Sequence, residues 1–220
     1  MKIERKLHTQ LAFKDAYELI GGLSTPSKMP WYGWSTPAKA CVTGSKLRQS
    51  KGTVCSKCYA LKGNYMFPNV QRALQRRLVA LDHPQFVEAF ALVLNTLYER
   101  QRMHPRENRF RWHDSGDLRN LDHLISINEI AKLTPQLKHW LPTREFGICK
   151  KFKGVVAPNL VIRMSFPLVG GKLSNPDYIQ STVGRDDDPE LYQCPASKQG
   201  NKCLDCKACW TNENVNYHLH

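Results

Sequence analysis

Apolar positions along this chain fall into two repeat patterns. Between residues 69 and 81 they recur with the 3.6-residue period of a helix, with Val70, Ala73, Leu74, Leu78 and Leu81 on one side and Arg72, Arg76 and Arg77 largely off it. Phe86, Ala89, Phe90, Val93, Leu94 and Leu97 repeat that period, with Pro84 placed in the first turn of the second helix. A shorter helix over residues 12–20 ends at Gly21 and Gly22, where an achiral residue takes a left-handed cap. The second half alternates strand-like runs at 110–113, 139–143 and 160–165 with a helix at 121–133. Strand, helix, strand is the pattern of parallel βα units joined by right-handed crossovers. The expected fold is therefore α/β: a partial or complete parallel βα barrel with a cysteine-rich C-terminal segment. Residues 1–185 read as the barrel-like domain with an N-terminal cysteine loop, and residues 186–220 as a metal-binding tail packed on it.

Composition adds three points. With 220 residues and 41% hydrophobic content, the chain can bury one sizeable core. Its N-terminus carries no apolar run suited to a signal peptide, and no stretch approaches the roughly 18 apolar residues needed to span a bilayer, so a membrane is not expected as partner and the cytoplasm is the expected compartment. In that reducing setting eight cysteines read as metal ligands or reactive thiols rather than as a disulfide framework. The third point is a formal charge of +13, which favours nucleic acid as partner, against the plain alternative of a solvated basic surface. Arg100, Arg102, Arg106, Arg109 and Arg111 are the expected phosphate-facing patch. Trp31, Tyr32 and Trp34 precede the first cysteine and suit either the core or base stacking.

The cysteines form two constellations. Cys203, Cys206 and Cys209 follow one another with two residues between each, and Cys194, followed by proline, stands nine positions earlier. Three thiolates on so tight a loop converge on one centre. Zinc sites more often pair two separated C-x-x-C motifs, whereas a run of this kind with a distant Cys-Pro suits a [4Fe–4S] cluster, with zinc as the alternative. His218 and His220 are substitute zinc ligands. The other constellation is Cys41, Cys55 and Cys58. Three cysteines leave one iron of a cluster open to a small molecule, the arrangement by which radical enzymes hold S-adenosylmethionine; yet thirteen residues separate Cys41 from Cys55, so the usual tight loop requires an insertion. Cys149 either closes the set as a fourth ligand or is an ordinary buried thiol. One or two clusters are compatible with these counts.

Polar residues gather where strands should end. The segment RFRWHDSGDL places His113, Asp114, Ser115 and Asp117 after the first predicted strand, with Gly116 permitting a tight turn. Thr143, Arg144 and Glu145 follow the second, and Arg163 and Ser165 close the third. Ligands of parallel α/β proteins bind beyond the carboxyl ends of the strands, so His113, Asp114, Asp117, Arg144, Glu145 and Arg163 are the candidate catalytic residues. The plain alternatives are a helix cap for Asp117 and an ion pair for Arg144 and Glu145. Arg163 inside a barrel would need an anionic partner such as Asp114, Glu145 or a substrate group.

With CSKCYA, RWHDSGDL, NLVIRMS and CPA…CLDCKACW in view, the chain resembles the gene-product-88 family of bacteriophage proteins over roughly residues 30–212. The resemblance implies a phage-encoded protein of the host-cell cytoplasm, with a cysteine-bound cluster and a radical-SAM-like α/β barrel, and no settled reaction. Three functions follow. One is a cluster-containing enzyme acting on nucleic acid or nucleotides, with Cys41, Cys55 and Cys58 at the reactive centre. Another is a zinc-dependent base transglycosylase, since HDSGDL loosely resembles the aspartate-bearing segment of tRNA-guanine transglycosylases. The last is a non-catalytic basic module that binds DNA or a host protein and uses its metal as a staple.

Overall fold

The computed structural model describes residues 10–172 and 176–219. Helices α1 (Phe13–Leu19), α3 (Pro68–Ala80), α4 (Phe86–Glu99) and α5 (Leu121–Leu133) match the predicted ones, while α2 (Thr43–Leu47) and α6 (Phe146–Lys151) are short additions. Pro68 stands in the first turn of α3, where its missing N–H costs nothing. Pro84 is outside α4: the helix begins at Phe86, after a turn closed by the Phe86 N–H on the His83 carbonyl. The α5 start is set by Asn120, whose side chain accepts the His123 N–H at 2.9 Å.

Seven strands, β1 (Gly33–Trp34), β2 (Arg109–Trp112), β3 (Lys138–Thr143), β4 (Leu160–Ser165), β5 (Ile179–Val183), β6 (Tyr192–Gln193) and β7 (Val215–Tyr217), form one sheet in the order β1-β2-β3-β4-β5-β7-β6. Every pairing is parallel. The fold is thus α/β, as expected, and among the described residues the edge strands β1 and β6 do not pair, so the sheet is open. The segment beyond residue 186 does more than pack on the rest, because it contributes β6 and β7. No helix of the described residues is long and apolar enough to cross a membrane.

Alternation along the strands divides the sheet into two unlike faces. Phe110, Trp112, Leu141 and Leu160 join Ala16, Ile20, Phe90, Leu94, Leu124 and Ile127 from the helices in the main core. Trp34 is its hub, fully buried, with ring centroids of Phe86, Phe90 and Trp112 at 5.6, 5.8 and 6.0 Å and its indole N–H on the Ile20 carbonyl at 2.9 Å. Aromatic pairs of this kind contribute about 1 kcal/mol each beyond their buried area. The other face carries Arg111, Trp140 and Arg163. Trp140 packs there with Cys209 and Trp210 in a small second core, and the Trp210 indole N–H reaches the Phe110 carbonyl at 2.9 Å.

Candidate metal centre and cavity

Beyond the carboxyl end of β2 the chain turns sharply. His113 has φ of 55°, which a non-glycine residue adopts only under constraint, and Gly116 has φ of 78°. A Cβ at Gly116 would stand 2.1 Å from Thr36 Oγ1 and 2.6 Å from the Thr36 carbonyl oxygen, so this turn admits only glycine. Its close approach lets the loop after β1 grip the loop after β2. The Ser115 hydroxyl donates to the Thr36 carbonyl at 3.0 Å, and the Asp114 N–H donates to Ser35 Oγ at 3.1 Å.

Asp117 clamps the ends of two strands. Its carboxylate accepts the Thr143 hydroxyl at 2.5 Å, the Arg144 N–H at 2.9 Å and the Leu118 N–H at 2.8 Å. Burial pushes its pKa up to about 6 against the pull of these bonds, with the Glu145 charge adding to the rise. It is not the cap of the next helix, a place taken by Asn120. Glu145 is not paired with Arg144: its two oxygens accept the Thr43 N–H and hydroxyl, at 2.8 and 2.7 Å. Arg144 Nε has no hydrogen-bond partner among the described residues.

Thr43 opens α2, two residues after Cys41, so Glu145 fixes the cysteine loop to the end of β3. The helix is the insertion that the long Cys41–Cys55 spacing requires. It folds the chain back so that a Cβ on Gly44 would lie 3.6 Å from the Cys55 sulfur and 3.7 Å from that of Cys41. Cys55 and Cys58 sit on and just after a 3₁₀ turn (Val54–Lys57) in which the Thr53 hydroxyl accepts the Ser56 N–H at 3.1 Å. The thiols sense one another. Burial first, then the charges of Asp117, Cys58, Cys55 and Glu145, pushes Cys41 up to about 12. Burial also raises Cys55, opposed by the guanidinium groups of Arg144 and Arg48.

All three cysteines line one cavity of ≈ 380 Å³, together with Arg48, Arg111, His113 and Arg144. Asp114, Asp117 and Ser165 also reach its wall. His113 is buried with neither ring nitrogen hydrogen-bonded among the described residues, and burial holds it neutral, helped by His123 and Arg111. Arg111 stacks over Trp140 with its guanidinium carbon 4.7 Å from the ring centroid. Cys149 is not on the wall. It packs on α6 against the main apolar core, and burial raises its thiol to about 12.

The second cysteine group is held by Arg163. Among the described residues this fully buried side chain meets no carboxylate, neither Asp114 nor Glu145, which were expected as its partners. Its guanidinium donates instead to the carbonyls of Gln180 at 3.0 Å, Ala208 at 3.1 Å, Thr211 at 3.0 Å, Cys209 at 3.5 Å and Glu213. Several carbonyl dipoles offset its charge as an ion pair would. Cys194, Cys203, Cys206 and Cys209 gather beside it: Cys203 feels the charges of Cys194 and Cys206, and Cys209 those of Cys194 and Cys203. Burial pushes Cys209 up to about 12 despite the Tyr217 hydroxyl 3.2 Å from its sulfur. His218 pairs with Asp186 at 2.9 Å. His220 lies outside the described residues.

All eight cysteines are free thiols. Among the described residues no three His, Cys, Asp or Glu side chains come close enough to clasp one metal ion.

The arginine patch expected after α4 is dispersed. Arg106 pairs with Glu99 at 2.8 Å, Arg109 pairs with Glu107 at 2.6 Å, and Arg111 turns to the cavity. Sequence reasoning missed Gly44, Arg48, Tyr59 and Tyr217 on this wall or in its support. The alternation in RFRW, which sets Arg109 and Arg111 opposite Phe110 and Trp112, was the available signal for Arg111.

A sequence model of the family described as Gene product 88 matches residues 5–212. No curated protein and no solved structure matches the chain.

Proposed function

From the premise that this chain belongs to the bacteriophage Gene product 88 family, we propose that it is an iron–sulfur enzyme with radical-SAM-like chemistry on nucleotides or nucleic acid. One observation carries the reading: three free thiols share a cavity wall at the carboxyl ends of parallel strands, while Cys149 is not among the residues of that wall and touches the apolar core. Cys41, Cys55 and Cys58 would hold the reactive cluster, and Cys194, Cys203, Cys206 and Cys209 a fully ligated second one. A cluster with three cysteine ligands supplies one open iron, at which S-adenosylmethionine can bind. We read the open sheet as part of a parallel βα barrel, whose inner face bears Arg111, Trp140, Arg163 and Ser165.

The chain's own residues have definite parts in this reading. Glu145 and Asp117 hold the cysteine loop and two strand ends rigid. Arg144 and Arg48 favour the Cys55 thiolate and offset the negative charge of a thiolate-bound cluster. His113, neutral and with neither nitrogen partnered among the described residues, donates one hydrogen bond and accepts another from a ligand in the cavity. Arg111 offers the cavity a cation for a carboxylate or phosphate.

Anaerobic purification with metal analysis tests the proposal. A brown protein with about four or eight irons per chain is expected. Adding S-adenosylmethionine should change the electron paramagnetic resonance spectrum of the reduced protein, and the change should vanish in Cys58→Ala. A colourless protein with one zinc would overturn the reading in favour of the transglycosylase-like one.

A further inference from the structure

The cavity opens beside a segment of unusual charge. Between Glu18 and Asp82 there is no acidic residue, while lysine or arginine stands at positions 28, 39, 46, 48, 51, 57, 62, 72, 76 and 77. Lys39, Lys46, Lys51, Lys57 and Lys62 are all exposed, and none forms an ion pair among the described residues. Interleaved with them are exposed apolar side chains: Tyr59 at 59%, Met66 at 48% and Phe67 at 54%. Lys57 and Tyr59 lie on the cavity wall itself. The adjoining turns are pinned to the same rim, since the Tyr59 hydroxyl donates to the Asp114 carbonyl at 2.5 Å and the Tyr65 hydroxyl to the Asp114 carboxylate at 3.2 Å.

Unpaired cations attract phosphates, and exposed aromatic rings between them offer faces for bases. We propose that residues 39–67 form a track for single-stranded nucleic acid that leads to the cavity. A duplex fits this surface poorly. Its base faces are stacked out of reach, the segment is built of short 3₁₀ turns and the five-residue α2 rather than a helix long enough to enter a major groove, and the cavity has room for a nucleotide rather than for paired strands. Phe67 and Tyr59 would stack on bases, while Lys57 and Lys62 neutralise neighbouring phosphates. This rests on the proposed action on nucleic acid, and names the form of the substrate and the surface that receives it.

Fluorescence anisotropy of the as-isolated protein with a labelled oligothymidylate of about 12 nucleotides tests the track, alongside a duplex of equal length. Tighter binding of the single strand is expected. Phe67→Ala should weaken it about tenfold. The double substitution Lys57→Gln/Lys62→Gln should lower the slope of log affinity against log salt by about 1.4. These side chains are exposed, so unchanged circular dichroism should accompany the loss. Arg100→Gln/Arg102→Gln, remote from the track, should leave binding intact. Equal or tighter duplex binding, indifference to the Phe67 and lysine changes, or equal losses from the Arg100/Arg102 pair would each overturn the proposal. Iron content is read on the same samples. An iron-bearing protein that ignores the single strand removes the track and leaves the cluster reading, whereas an iron-free protein that binds it does the reverse.

Discussion

Thr43 and Glu145 meet at two points, the Thr43 N–H on one carboxylate oxygen at 2.8 Å and its hydroxyl on the other at 2.7 Å. The pair joins positions 102 apart in sequence and holds the loop of Cys41 against the end of β3. Glu145→Ala should cost about 1–3 kcal/mol, because it strands a donor in a largely enclosed site. At about 2–4 °C per kcal/mol for a chain of this size, the midpoint of thermal unfolding should fall by several degrees, with iron incorporation lowered as well. Glu145→Gln, which keeps an acceptor, should lose less. Calorimetry with iron analysis checks this, and wild-type values in Glu145→Ala would remove the clamp from the design of the site.

Arg163 organises the C-terminal cysteine loop through four of its carbonyls, those of Ala208, Cys209, Thr211 and Glu213, with a fifth from Gln180 on β5. Arg163→Met fills much of the volume but leaves those acceptors without their donor. A loss of about 3 kcal/mol or more is expected, since each buried unpartnered polar group costs about 1–3 kcal/mol. Limited proteolysis should then cut the variant between residues 194 and 214 faster than it cuts the native protein. Equal protease resistance in the variant would show that the loop is held by other means.

His139 links acid stability to the core. Trp112 Nε1 donates to its Nδ1 at 3.2 Å, and its Nε2 faces Thr134 Oγ1 at 2.8 Å. Burial lowers its pKa to about 3, and burial together with Arg119 does the same for His123. Both values lie below the ordinary 6.5, so the unfolded chain takes up protons that the folded one refuses. Their contribution is present above pH 6.5 and is lost as pH falls from there towards 3, at up to about 1.4 kcal/mol per pH unit for each histidine. Urea unfolding between pH 7 and 4 should show this slope, and the His139 ring should not titrate by nuclear magnetic resonance above pH 4. An imidazole that titrates near 6.5 would contradict it.

Cys149 and Cys58 should part company under substitution. Cys149→Ser alters a thiol packed on the apolar core and should leave iron content unchanged. Cys58→Ala removes a cavity ligand and should cost about four irons per chain. The same loss in both variants would make Cys149 a fourth ligand, and the open-iron reading would fall.

The helices at 68–80, 86–99 and 121–133 and strands β2, β3 and β4 were legible because apolar spacing depends on local geometry alone: period 3.6 for a helix packed on one side, period 2 for a strand between unlike faces. The two cysteine constellations were legible for a similar reason, since their spacing is written in the chain. The short strands β6 and β7 were not, because two or three residues carry no period, and pairing within the sheet is what makes them strands. The roles of the charged residues also waited for the tertiary structure. Sequence put Arg163 and Glu145 among candidate groups for chemistry, but what a buried charge does depends on which atoms surround it. Four carbonyls around Cys209 made Arg163 an organiser of the cysteine loop, and Thr43 made Glu145 a clamp. Cys149 stands alone in sequence, with no spacing to place it, and the fold sets it on α6 against the apolar core. Composition and spacing thus determined the α/β fold and two groups of thiols. Contacts between residues scores of positions apart decided which groups face the cavity, since no local pattern records the far side of a fold.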